Sequence, residues 1–485
     1  MNETNCSRYR FSLPIILTAA LAACARTPVP ELESSDVPLD WQGPVQENAD
    51  VWPNTDWWNN FGMEELVEII ELVKANNFDY QNNLRNLETA RLALYEAGLQ
   101  LLPQPNVDIR TNASTSVQQF AAGSSQGGQS GPFNLSAGVS FGGNVITRPL
   151  SHETALIQYE SQKANISSTA LNTLVTAART YFQLLINRDT IRQIERNLEN
   201  ARQTLQFTQA RVDAGVEIQN NLLNQQISVQ SIENQLRSAQ QQDFQNRATL
   251  ALLTGQGVRG FDVEGQTLEG VIVPDVQPGI PSELLTRNPS IVNAEYQLRN
   301  AAISVDTARV AFFPSISLSG ISGGASSPSL INAITDPVST TVSLSASLSQ
   351  QIFNNGQRKR NLRRNRLQLE TQLANYRRTV LSTFNSVEVA LNNIEEVRLA
   401  GEVTALNREL ATEQFRLADL RYRQGTTNYQ TYLQAENTLF QQRQSVLTNQ
   451  LQQINALLDF YVLLGGGWEA GDLLLDLPEY QASSN

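Results

Sequence analysis

Residues able to do chemistry are few in this chain, and they do not converge. Its single histidine, His152, lies in the stretch HETAL, which lacks the second histidine of a zinc-protease helix, so it reads as a surface or junction residue rather than a ligand. LLGGGWE near the C-terminus has no Lys or Ser placed to make a phosphate loop, and it reads as the end of a helix. The carboxylate pairs Glu64–Glu65 and Glu395–Glu396 sit in charged helical company and are expected on solvated faces. No catalytic, cofactor-binding or metal-binding residue is therefore assigned, and the chain reads as a non-enzyme. The remaining concentration of charge is QRKRNLRRNR at 357–366. A basic run of this kind can meet nucleic acid, but 35 Lys and Arg against 47 Asp and Glu leave a formal charge of -12, which disfavours that partner. Lipid phosphates, or an acidic rim beside the run, suit it better.

Both cysteines, Cys6 and Cys24, precede the main body, which excludes a disulfide framework there. Arg8 and Arg10 lead into FSLPIILTAALAA, a run too short to span a bilayer but long enough for a signal-peptide core. It ends in LAAC, which resembles a bacterial lipobox. Residues 1–23 are then a signal peptide and Cys24 is the lipid-bearing first mature residue; an ordinary cleaved signal with a chance cysteine fits the same letters. With Ala25 rather than Asp after that cysteine, such signals favour the outer membrane. Residues 24–56, proline-rich and without hydrophobic period, are expected to form an extended tether.

The body is a tandem duplication, 57–270 and 271–485. RVDAGVEIQNNLLNQQ (211–226) and RYRQGTTNYQTYLQAE (421–436) match at an offset of 210, and Asn77, Ala90 and Pro103 match Asn288, Ala301 and Pro314 at 211. Each copy opens with helical periodicity, such as Leu66, Ile69, Ile70 and Val73, and then alternates apolar and polar residues over a hairpin at 107–141 or 315–353. Such strands suit a membrane crossing of ~9–11 residues, although a soluble half-buried hairpin looks the same. From about Pro149 to Arg211, and from Gln357 to Arg423, the sequence predicts helices of ~60 residues, or about 90 Å. Heptad-like seams run through Leu171, Val175, Ala178, Phe182 and Leu185, and through Leu373, Tyr376, Val380, Phe384, Val387, Leu391 and Ile394. The glycine turns at 211–226 and 421–436 are the hairpin tips, from which a second helix returns.

Four strands cannot close a barrel, and an open sheet edge is not tolerated in hydrocarbon, where unpaired backbone groups each cost several kcal/mol. Several chains must share one barrel, and a closed ring of identical subunits satisfies the strands and the amphipathic helices together.

These features together resemble the TolC-type outer membrane factor family, in its lipidated, OprM-like branch of RND efflux lipoproteins. The residues that carry the resemblance are DWWNNFG with LVEIIELVKANNFD, the helix ends at Leu102–Pro103 and FFPSIS, and the turn RYRQGTTNYQTYLQAE. The resemblance implies an α+β outer membrane protein. Three chains share a 12-stranded β-barrel, four strands each, continuous with a long α-helical periplasmic barrel, and a C-terminal equatorial segment follows. It further implies a lipid-anchored homotrimer that is a passive exit duct. Its partners are outer membrane lipid, a periplasmic adaptor protein and an inner-membrane RND-type transporter. Arg211, Gly215 and Leu223, with Arg421, Gly425 and Leu433, match the family's tip pattern for adaptor docking; all six also serve simply to build the turns. Where many relatives place aspartates beyond the second turn, this chain has Thr431 and Gln434, with Asn221 and Asn224 equivalent in the first half. Asp213, Glu217, Tyr422 and Arg423 are the other gate candidates, the acids facing the basic and tyrosine side chains of a neighbouring hairpin. Two other functions fit the letters: the outer membrane duct of a type I protein secretion system, and a non-channel periplasmic coiled-coil scaffold.

Overall fold

Glycines in a left-handed conformation follow the ends of the long helices, at Gly215, Gly255, Gly425 and Gly465. The computed structural model describes residues 26–30, 37–38, 40–44, 50–51, 54–102, 104–111, 133–141, 147–268, 270–274, 276–327 and 339–466. The expected signal peptide, Cys24, Pro103, most of the Gly- and Ser-rich strand loops and residues 467–485 lie outside them. Helices α1 (Glu64–Asn76) and α2 (Phe78–Leu99) lead to strands β1 (Gln104–Thr111) and β2 (Phe133–Phe141), then to α3 (Arg148–Asp213) and α4 (Gln219–Leu253). The second half repeats that order with α5 (Pro281–Arg287), α6 (Pro289–Val310), β3 (Ser315–Ser327), β4 (Ser339–Ser349), α7 (Gln357–Arg423) and α8 (Tyr429–Leu463). The described residues of Leu87–Gln162 and Ala294–Tyr376 belong to one compact unit, and those of Leu32–Asn86, Lys163–Asn293 and Arg377–Asn485 to another.

The first unit holds a four-stranded antiparallel sheet in the order β1-β2-β3-β4. Each repeat contributes one hairpin, and the β2–β3 pairing joins them, with Phe133 opposite Ser327 and Phe141 opposite Leu318. β4 stops at Ser349, short of the expected 353. Ser349 pairs with Ser315, and Pro314 before that residue has no N–H to continue the ladder. Gln350 instead sends its side-chain amide to Phe312 O at 3.1 Å.

In the second unit, Trp57, Phe61, Phe182 and Tyr461 are fully buried, with ring centroids 5.1 Å apart for Trp57–Tyr461 and 5.0 Å for Phe61–Phe182. Aromatic pairs at this range add ~0.5–1.5 kcal/mol beyond area burial. The α1 residues Leu66, Ile69, Ile70 and Val73 and the α3 seam Leu171, Val175, Ala178, Phe182 and Leu185 line the same core. Glu65 departs from expectation. Its carboxylate accepts the Gly265 N–H at 2.8 Å and the Tyr181 hydroxyl at 3.0 Å, so it serves backbone donors of the segment after α4 rather than solvent. Glu395, by contrast, pairs with its helix neighbour Arg398 at 2.8 Å.

The duplication is built around two buried asparagines. The Asn77 side chain accepts the Tyr80 N–H at 3.0 Å, capping α2, and its amide donates to Leu253 O at 3.0 Å, the last carbonyl of α4. Asn288 does the same in the second half, accepting Ile291 N–H at 3.2 Å and donating to Leu463 O at 2.8 Å. Each therefore satisfies an orphan donor at one helix start and an orphan acceptor at another helix end. Gly465 sits at φ 83, and a Cβ there would collide with Arg287 O, so glycine permits the close approach. Asn288→Ala is expected to destabilise the folded protein by about 1–2 kcal/mol, and Asn77→Ala similarly. Urea unfolding followed by far-UV circular dichroism tests this; midpoints equal to that of the unmodified chain would show that these caps contribute nothing.

Candidate functional site at the hairpin tips

The two tips, between α3 and α4 and between α7 and α8, share one backbone solution. At the first, Gly215 (φ 73) donates to Val212 O at 2.9 Å and Val216 donates to Arg211 O at 3.0 Å. At the second, Gly425 (φ 74) donates to Tyr422 O at 3.0 Å and Thr426 donates to Arg421 O at 2.9 Å. This is the Schellman helix end, in which a left-handed residue closes the last carbonyls of the helix; glycine adopts that conformation without a Cβ penalty. Nothing lies within 4 Å of either glycine's added Cβ, so conformation alone requires it.

Side chains make the tips different. Tyr422, Tyr429 and Tyr432 are buried and stack, with Tyr422 and Tyr432 centroids 5.1 Å apart at an interplanar angle of 27°. Their counterparts in the first half are Val212, Gln219 and Leu222. The Tyr429 hydroxyl is hydrogen-bonded to Gln225 of α4, whose amide donates to Ala201 O at 2.8 Å, and Tyr432 OH lies 3.3 Å from Thr204 Oγ1. The cluster thus ties the second tip to the first hairpin. Asn428 caps α8 by accepting the Thr431 N–H at 2.9 Å, whereas Ile218 at the start of α4 has no capping side chain. Glu217, just before that start, instead reaches Arg211 at 3.5 Å and accepts from the Asn221 side-chain amide at 2.7 Å.

Among the expected site residues, the fold brings Arg211, Glu217 and Tyr422 together, the Arg211 guanidinium lying 5.6 Å from the Tyr422 ring centre. Asp213 instead accepts from Gln209 on its own helix at 2.8 Å, and Arg423 pairs with Asp419 at 2.9 Å. Within one chain, neither Asp213 nor Glu217 pairs with Arg421 or Arg423 among the described residues; partners four to six residues away in the same hairpin capture the charges first. Leu223 does not enter the hairpin core. It is exposed, and Leu222 is the buried neighbour, because one residue turns the helix face by about 100°. Leu433 is partly buried against the tyrosines, and Thr431 and Gln434 are exposed.

Glu436 was invisible to motif reading. It is buried behind Tyr432, and burial, aided by the Asp419 charge, pushes its carboxyl up to about 7, with the Tyr432 hydroxyl acting in the opposite sense. Burial likewise raises the phenols of Tyr422 and Tyr429. The available signal was the steps of three and four from Tyr429 to Tyr432 to Glu436, which put all three on one face of α8. A folded-state pKa above the unfolded carboxylate value means that the folded chain holds the extra proton. Stability is then present below about pH 4.5 and declines as pH rises towards 7. Glu436→Gln is expected to flatten that decline. Thermal melting between pH 4.5 and 8 measures it, and parallel profiles for both proteins would show that Glu436 is not the titrating group.

Comparison with known proteins adds an independent line. The family profile described as "Outer membrane efflux protein" matches residues 69–256 and 280–466. The chain is 29% identical to the pyoverdine export outer membrane protein OpmQ of Pseudomonas putida, over 94% of this chain and 97% of that one. It is 26% identical to the toluene efflux pump outer membrane protein TtgC of Pseudomonas putida, covering 94% and 95%. Its fold is similar to the crystal structure of the Campylobacter jejuni CmeC outer membrane channel, at a TM-score of 0.80 and 19% identity, covering 92% and 95%.

Proposed function

Since the chain belongs to the outer membrane efflux protein family, the TolC-type outer membrane factors, we propose that it is the exit duct of a tripartite efflux pump, passing small molecules from the periplasm to the exterior. The observation that carries this reading is an unpartnered heptad face on α7. Leu399, Val403, Leu406, Leu410, Leu417 and Leu420 follow one another at steps of three, four and seven, and each is at least 37% exposed, while Ala411 and Ala418 are the buried residues of the same stretch. Fully burying a leucine side chain is worth ~1.5–3 kcal/mol, so a seam of this length calls for a helix from another copy. The sheet calls for the same thing, since β1 and β4 each have one paired neighbour among the described residues.

Three copies answer both demands, giving a barrel of twelve strands in the outer membrane and a ring of helical hairpins in the periplasm, anchored through lipid on Cys24. The tips then meet a periplasmic adaptor coupled to an inner-membrane RND-type transporter, with Arg211, Gly215, Leu223, Arg421, Gly425 and Leu433 as the docking elements. Relatives are named for cargoes as unlike as pyoverdine and toluene. That range suits a conduit whose selectivity is set at the transporter.

The purified protein is expected to migrate as a detergent-resistant trimer and to conduct ions in planar bilayers. A monomeric, non-conducting protein would overturn the duct. Leu406→Lys with Leu410→Lys is expected to abolish the trimer. Arg at Val139 and at Leu344 is expected to impair membrane insertion, at ~2–4 kcal/mol each for lipid-facing midplane sites. Unchanged trimer yield in both double variants would reject the shared surfaces. Cys24→Ala is expected to remove metabolic labelling by a radioactive fatty acid; label retained in that variant places the lipid elsewhere.

A further inference from the structure

The basic run that opens α7 has no part in the duct as described. Arg358, Lys359, Arg360, Arg363, Arg364 and Arg366 fall within nine residues, and residues 357–369 contain no Asp or Glu. Within the first unit, the fold sets this run against the end of α6. Ser304, Thr307 and Ala308 on α6 and Arg358, Asn361 and Arg364 on α7 line a groove of about 480 Å³, a size within the ordinary range for small-molecule sites. Asn365, also on its wall, donates to Ser304 O at 3.2 Å and holds the two helices in register.

Among the described residues, neither Arg358 nor Arg364 makes an ion pair. The carboxylate on this stretch of α6, Asp306, is already engaged by the Thr27 N–H at 3.0 Å and by Arg309 at 3.2 Å. Both guanidinium groups thus line one groove without a carboxylate partner, and an anion bound there supplies the missing counter-charge. Their planar forks match phosphate oxygens, and the Asn361 amide on the same wall adds a donor, whereas the Ser304 and Thr307 hydroxyls already donate to Asn300 O and Ile303 O at 3.0 Å. The first turns of a 67-residue helix contribute partial positive charge in the same place.

What precedes the run decides which phosphate. Leu348, Ile352 and Phe353 are 70%, 94% and 81% exposed, and cations begin five residues after Phe353. Exposed apolar side chains followed directly by a cationic polar groove reproduce the order of a bilayer leaflet, acyl chains and then phosphates. We propose that the α6–α7 groove binds the headgroup phosphate of an anionic phospholipid, with the acyl chains lying towards Leu348, Ile352 and Phe353. Its placement at the periplasmic leaflet rests on the duct reading; the binding chemistry does not.

The full chain in neutral detergent, titrated with short-chain phosphatidylglycerol and followed by thermal melting, tests the site. Saturable stabilisation is expected, weaker with phosphatidylcholine and absent with inorganic phosphate at the same concentration. Arg358→Gln with Arg364→Gln is expected to weaken binding roughly 30-fold. Arg363→Gln with Arg366→Gln, which removes equal charge outside the groove, is expected to weaken it far less, and Arg358→Lys with Arg364→Lys should be intermediate, which covers the case of a misfolded Gln variant. Equal losses in the two Gln variants, or equal response to inorganic phosphate, would overturn the proposal. Because ion conductance is read separately, a chain that binds the lipid but does not conduct condemns the duct and leaves the groove standing.

Discussion

Two asparagines hold the repeat together. Each half of the chain must end a return helix, α4 or α8, beside the start of a shorter one, α2 or α6, and each junction leaves backbone groups that water cannot reach. Asn77 and Asn288 satisfy both sides at once, accepting from one helix start and donating to the last carbonyl of another helix. A side chain with donor and acceptor on one short stem is the simplest device that can do this; Asp lacks the donor and Ser the reach. The glycines that follow each return helix, Gly255 and Gly465, are paired with this arrangement because a Cβ at either position would strike the backbone beside the asparagine. The aromatic core around Trp57 and Tyr461 packs against helices whose ends these contacts have already placed.

Duplication did not keep the two tips alike. Their backbones close through the same pair of hydrogen bonds, yet one is filled with three stacked tyrosines and the other is held by Arg211, Glu217 and Asn221. The tyrosine cluster reaches across to Gln225 and Thr204, so within one chain the second hairpin is bound to the first through a buried polar network. The network is only partly satisfied, since the Tyr422 hydroxyl and one Glu436 carboxylate oxygen are buried without a hydrogen-bond partner. Glu436, buried at the edge of the cluster with its carboxyl raised to about 7, gives that arrangement a dependence on proton concentration near neutrality.

Some of the chain's large apolar side chains are exposed. The leucine seam along α7 is not a lapse of patterning, because the same helix buries Val380, Phe384, Val387 and Leu391; Leu348 near the end of β4 and Ile352 and Phe353 beyond it are exposed as well. A helix that is correct on one face and apolar on another is built for two neighbours. The groove beside Arg358 and Arg364 is the polar counterpart, its two arginines making no ion pair among the described residues.

Local periodicity and turn chemistry, which act over a few residues, were legible in the letters. The helices from Arg148 to Asp213 and from Gln357 to Arg423, the four strands, the glycine reversals and the buried seam of α3 all follow from spacing, because each depends on neighbours within about one or two turns. Family membership followed too, since the duplicated turns and the DWWNNFG entry are long enough to be specific. Contacts between segments hundreds of residues apart were decided by the tertiary structure. Glu65 looked solvated until the Gly265 backbone arrived beside it, Leu222 rather than Leu223 faced inward once the α4 start was set, and Asp213 and Arg423 took partners on their own helices. Glu436 lay in a stretch read for its turn, and only the packing of Tyr432 over it removed the water that would have kept it an ordinary carboxylate. Spacing along a chain determines which face a side chain occupies; how far that face is dehydrated, and which charge meets it there, depends on the segments folded against it.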